Sequence, residues 1–78
     1  MPGIRVKGYE IYFKEFDLNE RPHVHINSKG KTAKYWIDTI ECFKPGRFAA
    51  HELGQIERIL TEYQAQLKRL WEREAKKR

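Results

Sequence analysis

Residues 23–39 read HVHINSKGKTAKYWIDT, and the pattern of this segment is the clearest indication of secondary structure in the chain. Residues 23–26 and 32–39 alternate between apolar and polar side chains, and the turn signal Ser28-Lys29-Gly30 lies between them. Alternation with a period of two is typical of strands that bury one face, and a short glycine turn between such strands favours an antiparallel hairpin. The sequence therefore predicts a β-hairpin at the centre of the chain.

Other β-type segments lie on both sides of this hairpin. Residues 9–14 alternate in the same way and follow Gly8, while residues 40–43 come just before the turn residues Pro45 and Gly46. The last segment could extend the strand before it after a bulge, or form a brief fourth strand. Because the connections are short, we expect a three-stranded, or four-stranded, antiparallel meander over residues 4–43.

The period changes after the meander, from about residue 48. Apolar side chains then recur at steps of three and four residues, as in Leu53, Ile56, Leu60, Tyr63, Leu67 and Leu70. This spacing predicts one long amphipathic helix over about 48–75, with a weak N-cap because Ala49 and Ala50 stand where Ser, Thr or Asp would serve better. The predicted fold class is α+β, a single domain over residues 1–78 in which the helix packs on one face of the sheet.

The predicted helix is longer than the predicted strands. It would span about 37 Å at 1.5 Å per residue, whereas strands of five or six residues span about 18 Å. Either the helix breaks near Thr61, or its second half, with Leu67, Leu70 and Trp71, contacts another chain. We expect the second. The predicted partner is a second copy, giving a homo-oligomer such as a dimer, or a small cognate protein.

Composition limits the classes of protein to which the chain could belong and the partners that it could bind. Cys42 is the single cysteine, so no intramolecular disulfide can form. No segment resembles a signal peptide or reaches the length of a membrane span, and we expect a cytoplasmic protein without a membrane partner.

The net charge is +5, and residues 68–78 hold six Lys or Arg against two Glu. This basic tail could contact RNA or DNA, or could simply be a solvated helix end that complements the helix dipole. Its candidate nucleic-acid contacts are Lys68, Arg69, Arg73, Lys76 and Lys77.

Alternation also sorts the strand residues onto two faces. One face collects the apolar residues and suits burial beneath the helix: Tyr9, Ile11, Phe13, Val24, Ile26, Ala33, Tyr35 and Ile37. The opposite face, called here the second face, gathers two imidazoles, two ammonium groups, two large aromatic rings and two carboxylates: Glu10, Tyr12, Lys14, His23, His25, Lys34, Trp36 and Asp38. Such a set is unusual for a surface that only meets solvent.

Three interpretations of the His-x-His pair on this face stay open. In the first, His23, His25 and Asp38 bind a divalent metal ion, the only cofactor that the sequence suggests. In the second, His23, His25 and Lys34 perform acid–base chemistry on RNA while Tyr12 and Trp36 stack on unpaired bases. In the third, the two imidazoles form only local hydrogen bonds on a sheet that another chain covers.

The order of motifs also resembles a known family. Gly8-Tyr9, the block Arg21-Pro22-His23-Val24-His25-Ile26 and the strand Ala33-Lys34-Tyr35-Trp36-Ile37-Asp38, followed by Phe48, Glu52-Leu53 and Trp71, are similar to short bacterial proteins classed as domain of unknown function 4160. The resemblance implies a setting like that of toxin–antitoxin modules, with a ribonuclease-like toxin or its partner as the expected activity. It points to His23, His25, Lys34 and Trp36. The basic tail after Trp71 departs from the family pattern.

Overall fold

The computed structural model describes residues 3–14 and 21–76, which form a five-stranded antiparallel sheet and one long helix. The strands lie side by side in chain order. The elements are β1 (Gly3–Val6), β2 (Tyr9–Tyr12), β3 (His23–Ser28), β4 (Lys31–Trp36), β5 (Glu41–Lys44) and α1 (Ala50–Ala75). The α+β class, the antiparallel meander and the single C-terminal helix are therefore confirmed. No helix within the described residues is long and apolar enough to cross a membrane.

Two Lys-Gly turns set the register of the sheet. Lys7-Gly8 joins β1 to β2, and Lys29-Gly30 joins β3 to β4, each as a two-residue turn with positive φ at both positions. This conformation matches the twist of the flanking strands, and glycine at the second position adopts it without steric cost. Each turn thereby fixes which side chains lie opposite each other across its hairpin.

The predicted core face is confirmed. All eight apolar residues assigned to it are buried, and Phe13 and Ile37 continue the buried row beyond the ends of β2 and β4. Ile56, Ile59, Leu60 and Leu67 of α1 complete the core from above. Polar contacts also hold the helix on the sheet, because the Tyr9 hydroxyl donates to Gln55 (2.8 Å) and the Tyr35 hydroxyl donates to Glu57 (3.0 Å).

The predicted number of strands, three or four, was wrong, because the sheet has five. The alternative of a brief further strand over residues 40–43 is confirmed by β5, whereas β1 is a strand that the sequence did not reveal. β1 has only four residues, two of which, Gly3 and Arg5, are exposed, so its alternation is too short to stand out. The helix begins at Ala50, two residues later than predicted. Its start is stabilised by Glu52, whose carboxylate accepts a hydrogen bond from the Ala49 N–H (2.9 Å) and pairs with Lys31 (3.1 Å).

Leu67, which was expected to contact another chain, lies instead inside this one. This side chain is fully buried in the core of one chain, so it is not an interface residue. Leu70 and Trp71 are half-buried and pack against the same core. The physical reason is that α1 runs obliquely, from Glu52 over β4 to Leu70 beside β1. The unforeseen strand β1 therefore supports the half of the helix that was expected to overhang the sheet.

Candidate functional site

The second face is built by cross-strand pairing. The register places Tyr12 of β2 opposite His25 of β3, and His25 opposite Lys34 of β4. It also places His23 opposite Trp36. Because directly opposed residues share a face, these five side chains project from the side of the sheet away from the helix. The predicted clustering of both imidazoles with Lys34 and Trp36 is therefore confirmed.

Five rings on this face form a continuous aromatic layer, defined here as Tyr12, His25, His23, Trp36 and Phe43. Tyr12 stacks on His25 with ring centroids 5.5 Å apart, and His23 lies 5.6 Å from His25. His23 then meets Trp36 edge-on at 5.8 Å, and Trp36 stacks on Phe43 at 4.1 Å. The layer crosses four strands, from β2 to β5.

A β-bulge brings Phe43 into the aromatic layer. Pairing between β4 and β5 jumps from Lys34–Lys44 to Tyr35–Cys42, so Phe43 has no opposed residue in the register. A bulge of this kind re-aims the side chain of the unpaired residue. Here it lets the phenyl ring reach the indole of Trp36.

Arg21, just before β3, approaches Trp36 from the β3 side. Its guanidinium lies 4.4 Å from the centroid of the indole ring, whereas Phe43 approaches the same indole from β5. The guanidinium also donates two hydrogen bonds to the Asp38 carboxylate, at 2.9 and 3.2 Å. These bonds hold the pKa of Asp38 below its usual value. Trp36 thus contacts both a cation and a ring, whereas Tyr12, His23 and Phe43 are the other half-exposed rings of the layer.

The two imidazoles have different environments. His25 is only 5% exposed, and burial lowers its pKa to about 4, with the charges of Lys34, Lys14 and His23 acting in the same direction. His25 is therefore neutral at pH 7 and is a poor proton donor there. His23 is half-exposed, and its Nδ1 donates to the carbonyl oxygen of Arg21 (3.1 Å). This bond leaves the Nε2 atom of His23 for contact with a ligand.

The low pKa of His25 predicts a pH-dependent stability. An unfolded chain protonates this imidazole near pH 6.5, but the folded chain does so only near pH 4. Between these values the unfolded state binds more protons, so the free energy of unfolding rises with pH and levels off above 6.5. We expect His25→Gln to remove about 1–3 kcal/mol of this dependence, measured by urea unfolding at pH 4.5 and 7. Asp38 and Glu52 also titrate, but they do so in both the wild-type protein and the variant. If the difference in unfolding free energy between pH 4.5 and 7 were the same in the two proteins, the assignment of this pH dependence to His25 would be contradicted.

The structure does not assemble the predicted metal triad. Asp38 lies past the end of β4, and its carboxylate is occupied by Arg21 and by the N–H of Thr39 (3.0 Å). Within residues 3–14 and 21–76, no three His, Cys, Asp or Glu side chains are grouped closely enough to hold a metal ion. Asp38 does not join His23 and His25 because its carboxylate pairs with Arg21, a contact that the sequence did not predict.

Cations surround the aromatic layer. Lys34 and Lys44 are opposed on β4 and β5, and Lys14 follows β2. None of the three forms an ion pair with a carboxylate in the part of the chain that the structure describes, whereas Arg5 pairs with Glu10 (3.1 Å). Next to Tyr12, a groove over β1, β2 and β3 is lined by Arg5, Glu10, Lys14 and Asn27. Within the described residues, the second face therefore combines half-exposed rings with three lysines that form no ion pair, while Glu41 lies opposite Trp36 on the same face.

The basic tail lies on the other side of the sheet. Lys68, Arg69, Arg73 and Lys76 are exposed on or just after α1, which covers the core face, and Lys77 lies outside the described residues. Arg69 and Arg73 line a groove with Gly3 and Ile4, and these two residues also line the groove beside Tyr12, so the two grooves adjoin at β1. The nucleic-acid contacts predicted from sequence thus lie on two sides of the sheet that meet at its β1 edge.

The comparison with sequence families confirms the resemblance found in the motifs. A family described as Domain of unknown function (DUF4160) matches residues 8–72. The chain belongs to this family. The match includes the whole aromatic layer, Arg21 and the three lysines, but it leaves out residues 3–7 and the chain after Glu72. No curated protein and no solved structure matches the chain.

Sequence reasoning missed two residues of the site. Arg21 stands beside Pro22 in the block that carries the family resemblance, and a cation two residues before His23 could have suggested a contact with the second face. Phe43 was placed in a segment of uncertain strand assignment. Its position depends on a bulge, for which the sequence shows no local signal.

Proposed function

We propose that the second face binds single-stranded nucleic acid, with RNA as the preferred substrate class. The observation that supports this function is the aromatic layer bordered by Lys14, Lys34 and Lys44, on the side of the sheet that the helix leaves open. Unpaired bases stack on aromatic side chains at about 1–3 kcal/mol per base, and lysines neutralise the backbone phosphates. Sheets that carry exposed rings are a common platform for single-stranded RNA.

The preference for single strands follows from the rings. A duplex hides the faces of its bases, so it could contact the lysines but could not use Tyr12, His23 or Phe43 for stacking. The proposed substrate is therefore a loop, an end or an unstructured segment.

An anisotropy titration tests the proposal. A labelled oligouridine should bind more tightly than an RNA duplex of equal length, and the logarithm of the binding constant should fall with the logarithm of salt concentration with a slope of about −2, as expected for three phosphate contacts to a single strand. Equal binding of duplex and single strand, or a slope near zero, would contradict it. Oligothymidine in the same titration shows whether the 2′-hydroxyl contributes.

RNA cleavage would be an extension of this binding. His23 and Lys34 are the groups best placed for it, because Nε2 of His23 has no hydrogen bond within the described chain and Lys34 could stabilise charge on a phosphorane. His25, buried and neutral, would act as a support for Tyr12 and His23 and not as the acid. A ribonuclease-like component of a toxin–antitoxin-type module would then lose cleavage and growth inhibition on His23→Ala, while RNA binding would weaken only by the loss of one stacked base, about 1–3 kcal/mol.

An oligomeric interaction module without catalysis is the alternative function. Leu70 and Trp71 are half-buried side chains of α1 and keep some apolar surface for a second copy or a small partner protein. Association through them would leave the second face open. The two functions are therefore compatible, and sedimentation at several concentrations measures the second independently.

A further inference from the structure

Among the described strands, β1 forms one edge of the sheet and pairs with β2 alone. The Lys7-Gly8 turn makes Val6 and Tyr9 a hydrogen-bonded pair, and hydrogen bonding alternates along an antiparallel ladder. Ile4 and Val6 therefore direct their backbone groups to β2, whereas the N–H and C=O groups of Gly3 and Arg5 point away from the sheet. An edge of this kind is a template for one more strand.

A groove runs along this edge between β1 and the second half of α1. Its lining consists of Gly3, Ile4, Gln66, Arg69, Leu70 and Arg73. Ile4 and Leu70 are half-buried and give the groove an apolar floor. Gln66, Arg69 and Arg73 are exposed side chains that supply one amide and two guanidinium groups.

No carboxylate of the described residues compensates the charge of the groove. Arg69 and Arg73 form no ion pair with a carboxylate in the described ranges 3–14 and 21–76, and no acidic residue lines the groove. Guanidinium groups bind carboxylates through paired hydrogen bonds. The groove is therefore suited to a ligand with negative charge.

We propose that the β1 edge binds an extended acidic segment of another protein, which adds to the sheet as a sixth strand and places two carboxylates on Arg69 and Arg73. The spacing supports this. Alternate residues of a strand are about 6.8 Å apart on one face, and helix residues four positions apart, like Arg69 and Arg73, differ in rise by about 6 Å. Acidic residues at i and i+2 of the added strand would match the two guanidinium groups.

Two other occupants fit less well. A second copy of this chain paired through β1 would bring its own Arg69 and Arg73, which border its β1, to the same groove, and like charges oppose such pairing. A nucleic acid could use the guanidinium groups, but it offers no backbone N–H donors to the free carbonyl groups of Gly3 and Arg5. An acidic peptide that adds as a strand supplies hydrogen bonds to the backbone groups of β1 and carboxylates to the guanidinium groups of the groove. This site lies on the helix side and edge of the sheet, so it does not depend on the proposed function of the second face.

Peptide titrations test the inference. The probe is a labelled heptapeptide that alternates glutamate with valine, and the controls replace its glutamates with glutamine or methylate alternate backbone amides. We expect saturable binding of the first peptide and at least about tenfold weaker binding of each control, because a charge-assisted hydrogen bond contributes more than the 1.4 kcal/mol that corresponds to tenfold. Shifts in NMR signals should map to the amides of residues 3–6.

Matched variants separate the groove from general basicity. Arg69→Gln/Arg73→Gln should lower the affinity for the glutamate peptide at least about tenfold, whereas Lys68→Gln/Lys76→Gln, which removes the same charge from exposed positions outside the groove, should change it less than about threefold. Equal losses in both variants would overturn the proposal. Oligouridine that shifts the β1 amides when the peptide does not, or self-association that protects them, would also overturn it, in favour of nucleic acid or of a second copy. RNA binding at the second face is measured separately, and its failure would leave these outcomes unchanged.

Discussion

Leu67→Ala is expected to destabilise the monomer by about 2–5 kcal/mol. The Leu67 side chain is fully buried between α1 and the sheet, and its truncation removes apolar contacts and leaves a cavity. Whole domains are stable by only about 5–15 kcal/mol, and small ones fall at the lower end, so the loss should be visible as a large drop in the urea midpoint. Circular dichroism at 222 nm during urea unfolding measures it.

Lys68→Ala is the matched control for this substitution. Lys68 is the next residue on the same helix and is exposed, so its truncation should change stability by less than about 0.5 kcal/mol. Sedimentation of both variants checks the alternative. A Leu67→Ala protein that keeps its urea midpoint but dissociates into smaller species would return Leu67 to an interface between chains.

Lys34→Glu/Lys44→Glu is expected to weaken binding of oligouridine by about a hundredfold or more. The two ammonium groups are opposed on neighbouring strands at the border of the aromatic layer, and their reversal replaces attraction for phosphate with repulsion. A hydrogen bond to a charged group contributes about 1.5–3 kcal/mol, so the loss of two such contacts corresponds to at least that factor. Fluorescence anisotropy at fixed salt concentration measures the change.

Lys68→Glu/Lys76→Glu alters the net charge by the same amount on the opposite side of the sheet. Long-range electrostatic attraction falls equally in the two variants, but only the first touches the second face. We expect less than about a fivefold loss for the helix variant at physiological salt, where surface charges are screened beyond about 8 Å. A larger loss in the helix variant than in the sheet variant would move nucleic-acid binding to the basic tail.

The sequence was sufficient to predict which residues lie on each face of the sheet, because alternation is a local pattern. Alternation in residues 9–14, 23–26 and 32–39 assigned every core position correctly, and it placed His23, His25, Lys34 and Trp36 together on the second face. Side-chain direction in a strand follows from position alone, and the two glycine turns exclude a slip in register.

The features that could not be predicted depend on contacts between distant segments. β1 becomes recognisable only when its pairing with β2 and its packing beside Leu70 are known. The ion pair of Arg21 with Asp38 joins residues 17 positions apart, and it withdraws Asp38 from the predicted metal triad. Leu67 has the same helical spacing whether it faces a sheet or a partner, so periodicity could not distinguish core from interface.

A two-dimensional NMR titration with oligouridine tests whether RNA binds at the second face. If the second face binds single-stranded nucleic acid, the indole N–H of Trp36 and the amides around His23, Lys34 and Phe43 should shift saturably at micromolar RNA, while those of Lys68 and Lys76 stay in place. Shifts confined to α1, or no shift at the second face with millimolar RNA, would contradict the account.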